Sequence, residues 1–197
     1  LERKRGWLEV WAIVKVQQKF LHIDMPVSTY TMNPANLLVL TNEFSRCKPA
    51  TVVEFGSGLS TLCMAQMLKD AGGGKIISCD HDDAWAQLTR DMLLENGLDA
   101  YAEVHHMELA TQPQRERVWY DIADEFFAEL DAVDLVVVDG PPAGEGVRNT
   151  ARYPALPKLL SLLAPNATVF LDDGNRAGER EIVDKWSKLD KFSVYHH

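Results

Sequence analysis

The chain lacks a long apolar run: the longest near its N-terminus is VWAIV, far short of the roughly 20 residues a spanning helix needs. It carries no signal-peptide pattern, which leaves a cytoplasmic-type location as the expectation. Its three cysteines, Cys47, Cys63 and Cys79, include no C-x-x-C pair. That excludes a disulfide frame and a zinc knuckle and suits reduced thiols. There is no basic patch beyond Arg3, Lys4 and Arg5, and the net charge is −9. A phosphate backbone would be repelled, so nucleic acid is not an expected partner. Internal repeats and low-complexity tracts are absent too, and the opening residue is Leu1 rather than Met, as an excised domain would show.

What is present is an ordinary globular balance over 197 residues, 46% hydrophobic and 25% charged, enough for one domain with a real core. Residues 1–32 read as an N-terminal helix and a linker containing Pro26, and 33–197 as the main domain. Trp7, Trp11 and Val14 share one face of the first helix, widened by Val10, Ile13 and Val16. That face packs on its own domain, makes a homo-oligomer or interdomain contact, or forms a lid over the site. Asn33-Pro34 then reads as a helix start.

Beyond it, strands and helices alternate. ATVVEF, KIISCD, AYAEVHH, VDLVVVDG and ATVFLDD read as strands, the first and fourth as buried parallel strands rich in valine. Helices follow most of them, among them a short one near 122–130 and another over 154–164, and KFSVYHH reads as a sixth strand at the end of the chain. The expected class is α/β: a mostly parallel sheet with helices on both faces. Ligands of such sheets bind at the carboxyl ends of the strands, near the point where strand order reverses.

The residues at those ends carry the chemistry. After the first strand come Glu54, Gly56, Ser57, Gly58, Ser60 and Thr61. Glycine lets a ligand approach the backbone, and a helix start offers free N–H groups. No Gly-Lys-Ser/Thr follows, so this is not a nucleoside-triphosphate loop. Thr61 stands where a dinucleotide loop has its third glycine. Glu54 would repel a pyrophosphate and favour a cationic ligand. Asp80 ends the second strand, where an acid takes ribose hydroxyls, or else it caps the next helix, as Asp82 also could. His81 beside it either flanks a base or lies on the surface.

A second group is Asp139 after the fourth strand with Asp172 and Asp173 after the fifth. Neighbouring strands lie about 4.8 Å apart, so three carboxylates would crowd one volume. Such crowding needs a cation or a retained proton. Oxygen-only ligands suit Mg²⁺, Mn²⁺ or Ca²⁺; alternatively these acids cap turns, as DDGN can. Arg148, Arg152 and Tyr153, in the loop after Asp139, either bind a hydroxylated or anionic acceptor or anchor the loop. His105, His106, Trp119 and Tyr120 stand close enough to line a ligand site and equally serve packing.

Glu54-x-Gly-x-Gly followed by Asp80 at the end of the next strand resembles the class I S-adenosylmethionine-dependent methyltransferases, with a Rossmann-like fold, over roughly residues 33–196. The resemblance implies that the glycine loop holds the methionine part of S-adenosylmethionine and that Asp80 holds its ribose. Ser60 replaces the family's usual third glycine, and the family's C-terminal seventh strand is expected to be either absent or cut away. VVVDG with FLDDGNR resembles the metal-dependent, macrocin-type sugar O-methyltransferases, which implies that Asp139, Asp172 and Asp173 hold a divalent ion, Mg²⁺ foremost. The run VDGPPA through RYPALP to LDDGNRAGEREIV is similar to bacterial methyltransferase-like proteins associated with polysaccharide genes. The expected activity is metal-assisted O-methylation of a sugar or other small-molecule or glycan acceptor, with Asp139 as general base. Metal-independent N- or carboxyl-methylation and a non-catalytic nucleoside-binding module of a glycan-assembly protein are the alternatives. An NAD-dependent oxidoreductase is disfavoured by Glu54 and Thr61, and the lack of an N-P-P-Y motif argues against the nucleobase- and glutamine-modifying branches.

Overall fold

A computed structural model describes residues 2–20, 23, 28–112, 117–130, 132–144, 146–189 and 193–195. Five parallel strands form the central sheet: β1 (Thr51–Phe55), β2 (Lys75–Asp80), β3 (Ala102–His106), β6 (Val133–Val138) and β7 (Leu163–Leu171), in the order β3-β2-β1-β6-β7. Strand order reverses between β1 and β6, so the ligand crevice of this Rossmann-like methyltransferase fold lies above those two strands. Val52, Val53 and Phe55 of β1 and Leu135 to Val138 of β6 are fully buried, as expected of strands covered on both faces.

Among the described residues six helices surround the sheet: α1 (Glu2–Phe20), α2 (Pro34–Cys47), α3 (Leu59–Ala71), α4 (Asp83–Glu95), α5 (Ala155–Leu159) and α6 (Ala177–Trp186). One core layer joins α2, α3 and α4 to the sheet through Leu37, Leu40, Leu62, Leu68 and Leu93. The other joins α5 and α6 to it through Leu156, Leu159, Ile182 and Trp186. The caps follow the sequence. Asn33 accepts from Asn36 N–H at 2.9 Å ahead of Pro34, and Asp82 accepts from Trp85 N–H at 3.0 Å. Gly72, at φ 90, ends α3. No helix is long and apolar enough to cross a membrane among the described residues.

Four features depart from the sequence expectation. A two-stranded antiparallel hairpin, β4 (Leu109–Gln112) with β5 (Arg117–Tyr120), leaves the sheet after β3. The helix expected near 122–130 is a set of turns, with Phe127 against Phe55 at 6.3 Å. The helix expected over 154–164 shortens to α5 and a 3₁₀ turn, because Leu163 is already paired with Val133. Residues 193–195 form no strand, and the rest of KFSVYHH lies outside the described residues, as does the linker part 24–27 with Pro26.

The first helix docks through a different face from the one that carries its tryptophans. Ala12 and Phe20 are buried and Val16 partly so, whereas Trp7 and Trp11 are 77% and 55% exposed. The small residue at 12 lets α1 approach closely, and the tryptophan face turns outward.

Between β1 and β6 the packing is tight. Phe55 O accepts from both Asp139 N (2.9 Å) and Gly140 N (2.6 Å). A Cβ on Gly140 would collide with the Tyr120 hydroxyl. That hydroxyl is buried and has no hydrogen-bond partner among the described residues. Gly140→Ala should therefore cost about 1–3 kcal/mol by overpacking. Tyr120→Phe alone should leave stability unchanged or raise it, since no bond is lost, and should relieve part of the Gly140→Ala cost. Urea unfolding of the two single variants and the double variant measures this, and strict additivity would contradict it.

Candidate active site

The glycine loop leaves β1 at the rim of the sheet. Gly56 (φ 96) occupies a conformation that favours glycine, and a Cβ there would stand 2.9 Å from Gly140 N. Gly58 N donates to Thr61 Oγ1 at 2.9 Å, closing the turn into α3.

Glu54 lies beneath this loop with no exposed surface. Its Oε1 accepts from Ser60 Oγ at 2.6 Å, and its Oε2 accepts from Thr61 Oγ1 at 2.5 Å and Ser78 Oγ at 2.7 Å. The carboxylate therefore fixes both the loop and the start of α3. Burial raises its pKa to about 7, against the lowering effect of the three hydroxyls.

Asp80 bridges the loop to β2. Its Oδ2 accepts from Ser57 N at 2.6 Å and Ser57 Oγ at 2.8 Å, and its Oδ1 accepts from Asp82 N at 3.0 Å. Burial pushes its pKa up, but the hydrogen bonds from His81, Asp82 and Ser57 prevail and hold it below the usual carboxylate range. The cap of α4 is Asp82, so Asp80 remains at the strand end. His81 is half-buried and stands 3.5 Å from Asp80 Oδ1.

Across the switch point, β6 and β7 pair in register up to Val138 and Leu171, which sets Asp139 beside Asp172. Asp173 follows at φ 58, a left-handed conformation that Asp tolerates better than most residues. One oxygen from each of Asp139, Asp172 and Asp173 lies within 4.8 Å of the others. Burial first, then Asp172, raises the pKa of Asp139 to about 8, while Arg152 pulls it down.

Arg152 is the centre of this cluster and is only 3% exposed. It donates to Asp172 O (3.2 Å), Pro141 O (3.3 Å) and Asp139 O (2.5 Å), and to Asp173 Oδ2 (3.2 Å) and Asp139 Oδ1 (3.4 Å). These contacts tie the loop after β6 to the end of β7. Arg148 is exposed at the end of a 3₁₀ turn, and Tyr153 packs towards α6, with Trp186 Nε1 donating to its carbonyl at 2.9 Å. The three residues expected together as an acceptor site therefore point to different places.

The other candidates stand apart from the acid cluster. Trp119 and Tyr120 are buried around Phe55, His105 meets Phe126 edge-on at 5.0 Å, and His106 stands 3.7 Å from Asp83. Sequence reasoning missed three residues at the acid cluster. Asn36, in the first turn of α2, donates to Asp172 Oδ1; Arg176 pairs with Asp173 at 2.9 Å; Glu179 lies 3.7 Å from Arg152. The FLDDGNRAGER run held a signal for Arg176, since an Arg three residues after an Asp can fold back on it; Glu179 and Asn36 had none.

A methyltransferase-domain family matches residues 53–174, from β1 to the turn after Asp173. The chain belongs to this family, and the class that fold and family define is a methyltransferase enzyme. No protein of curated function is matched. Among solved structures, a methyltransferase from Geobacter sulfurreducens is similar over 99% of this chain and 89% of its own, at 18% identity and a TM-score of 0.63. An O-methyltransferase from Bacillus cereus in complex with SAH is similar over 90% and 77%, at 15% identity and a TM-score of 0.58. The O-methyltransferase TomG from Streptomyces achromogenes, involved in tomaymycin synthesis and solved with SAM, is similar over 92% and 76%, at 17% and 0.55. At these identities the likeness is one of fold.

The buried acid yields a pH prediction. The folded chain holds a proton on Glu54 up to about pH 7, and the unfolded chain releases it near the ordinary glutamate value of 4.5. This contribution is full below about pH 4.5 and is lost as pH rises through about 7. It amounts to at most roughly 3 kcal/mol. Wild type should therefore lose stability relative to Glu54→Gln across that window, by denaturant unfolding at several pH values. Parallel curves would contradict the assignment.

Proposed function

We propose that the protein transfers the methyl group of S-adenosylmethionine to a hydroxyl oxygen of a sugar or another small molecule, with a divalent cation, Mg²⁺ foremost, at Asp139, Asp172 and Asp173. The observation that carries this reading is the convergence of those three carboxylates, within 4.8 Å, at the ends of adjacent strands β6 and β7. The glycine loop opens on the other side of the same switch point. The O-methyltransferases among the similar structures, and the SAM and SAH bound to two of them, support the cofactor and the oxygen acceptor.

In this reading the cofactor's methionine part lies along Gly56, Ser57 and Gly58, Asp80 takes the ribose hydroxyls and His81 flanks the nucleoside. Glu54 positions the loop through Ser60 and Thr61, and its charge, when ionised, favours a sulfonium above the loop. The reaction is an in-line displacement: the acceptor oxygen attacks the methyl carbon, the C–S bond breaks, and its electron pair stays on sulfur.

The donor set fits a hard cation, because every ligand atom is an oxygen and the three converge. Bound there, such an ion would lower the pKa of the acceptor hydroxyl and fix its position. Asp139 accepts the hydroxyl proton as general base. Arg152 holds Asp139 by main chain and side chain alike, and so sets the direction of the base.

One observation favours a second reading, metal-independent transfer by proximity: Arg152 already supplies a positive charge to Asp139 and Asp173. Chelation separates the two. Excess EDTA should abolish turnover and added Mg²⁺ should restore it; full activity in chelator would select the second reading. Asp139→Asn should lower kcat by at least about 100-fold, with SAH affinity by calorimetry unchanged within about twofold. Equal loss of turnover and SAH binding would remove Asp139 from its role as base.

A further inference from the structure

The three acids of the cluster are not alike. Asp173 Oδ2 meets two guanidiniums, Arg152 at 3.2 Å and Arg176 at 2.9 Å. Asp139 Oδ1 meets Arg152 at 3.4 Å. Asp172, though only 4% exposed, makes no ion pair among the described residues. Arg152 reaches its carbonyl alone, at 3.2 Å. Beside its hydrogen bond with Asp139, the Asp172 carboxylate takes a neutral donor: the side-chain amide of Asn36 donates to its Oδ1.

The chain holds that amide firmly. Asn36 is the third residue of α2, and its own N–H donates to Asn33 Oδ1 at 2.9 Å. Leu37 and Leu40, which follow it, are buried in the core layer beneath the helix. An ionised carboxylate only accepts hydrogen bonds, so the amide turns its NH₂ to Asp172. The last torsion of an aspartate is broad and roughly two-fold; a donor fixed on a rigid helix narrows it. The kind of donor matters as much. A guanidinium would orient the carboxylate and also neutralise it, taking the place of a metal's charge. A neutral amide orients it and leaves its charge to a cation.

We propose that Asn36 is a positioning residue of the cation site: it holds the Asp172 carboxylate in the orientation that ligates, without cancelling its charge. The inference rests on the metal-assisted reading above, and its residue lies outside the family-matched residues 53–174. Helix α2 then belongs to the site together with the ends of β6 and β7. A hydrogen-bonded support of this kind governs metal affinity through the ligand it holds.

The test is Mn²⁺ binding to the SAH-loaded protein, read from the electron paramagnetic resonance of the free ion. Wild type should take up the ion. Asn36→Ala should weaken that binding about 10- to 100-fold, with SAH affinity by calorimetry kept within about twofold and the thermal melt unchanged. Asparagine and alanine are both neutral, so a change of net charge cannot produce the loss. Asn36→Leu, close to asparagine in size, should weaken Mn²⁺ binding to the same extent, and it carries the test if Asn36→Ala does not fold. Wild-type Mn²⁺ affinity in either folded variant would overturn the proposal alone. So would SAH affinity and melting temperature falling together with Mn²⁺ affinity, the mark of a helix that has merely come loose. A wild type that binds SAH but no Mn²⁺ would instead overturn the cation reading on which the proposal rests.

Discussion

A guanidinium in the wrong solvent holds the upper rim of this sheet together. Arg152 is almost wholly buried, and its cost of burial is offset only because each face of it meets oxygen. Three of its partners are carbonyls, of Asp139, Pro141 and Asp172, that the ends of β6 and β7 leave without a strand partner. The others are carboxylates that would otherwise repel one another. One side chain thus ties the loop after β6 to the end of β7 and sets the spacing of the acids. Removing it would leave a buried cluster of like charges uncompensated, among the more damaging changes a core can suffer.

The rim holds a second buried charge site of opposite kind. Glu54 sits under the glycine loop as Arg152 sits under the acids, on the two sides of the β1–β6 switch point. One is a buried acid surrounded by hydroxyls, the other a buried base surrounded by oxygens. In the proposed function this arrangement suits a cationic sulfonium over the first and an oxygen nucleophile beside the second. Burial is the first cause of the raised pKa at both Glu54 and Asp139, a pattern common at functional sites.

Much of this was legible in the residues. The valine runs of β1 and β6 and the acids closing β2, β6 and β7 fixed the class of sheet and the place of its ligand crevice, because such strands can only be buried ones and their ends can only meet at one rim. Asn33-Pro34, Asp82 and Gly72 marked helix ends through local chemistry. What failed to show depended on distant pairing. Leu163 joined β7 instead of ending a helix because Val133 was waiting beside it. The tryptophan face of α1 lost to Ala12, since close approach of two helices rewards a small residue that periodicity counts as minor. Arg152 carried two readings until its partners at 139, 172 and 173 were seen around it. Asn36 reaches Asp172 from 136 positions away, a contact no local pattern encodes.

The most direct test of the central claim is a crystal grown with SAH and Mn²⁺ and read by anomalous scattering. The account predicts SAH along the loop at Gly56–Gly58 with its ribose at Asp80, and one manganese peak bound by oxygens of Asp139, Asp172 and Asp173. Bound SAH with no peak at those acids, and Arg152 alone among them, would contradict it.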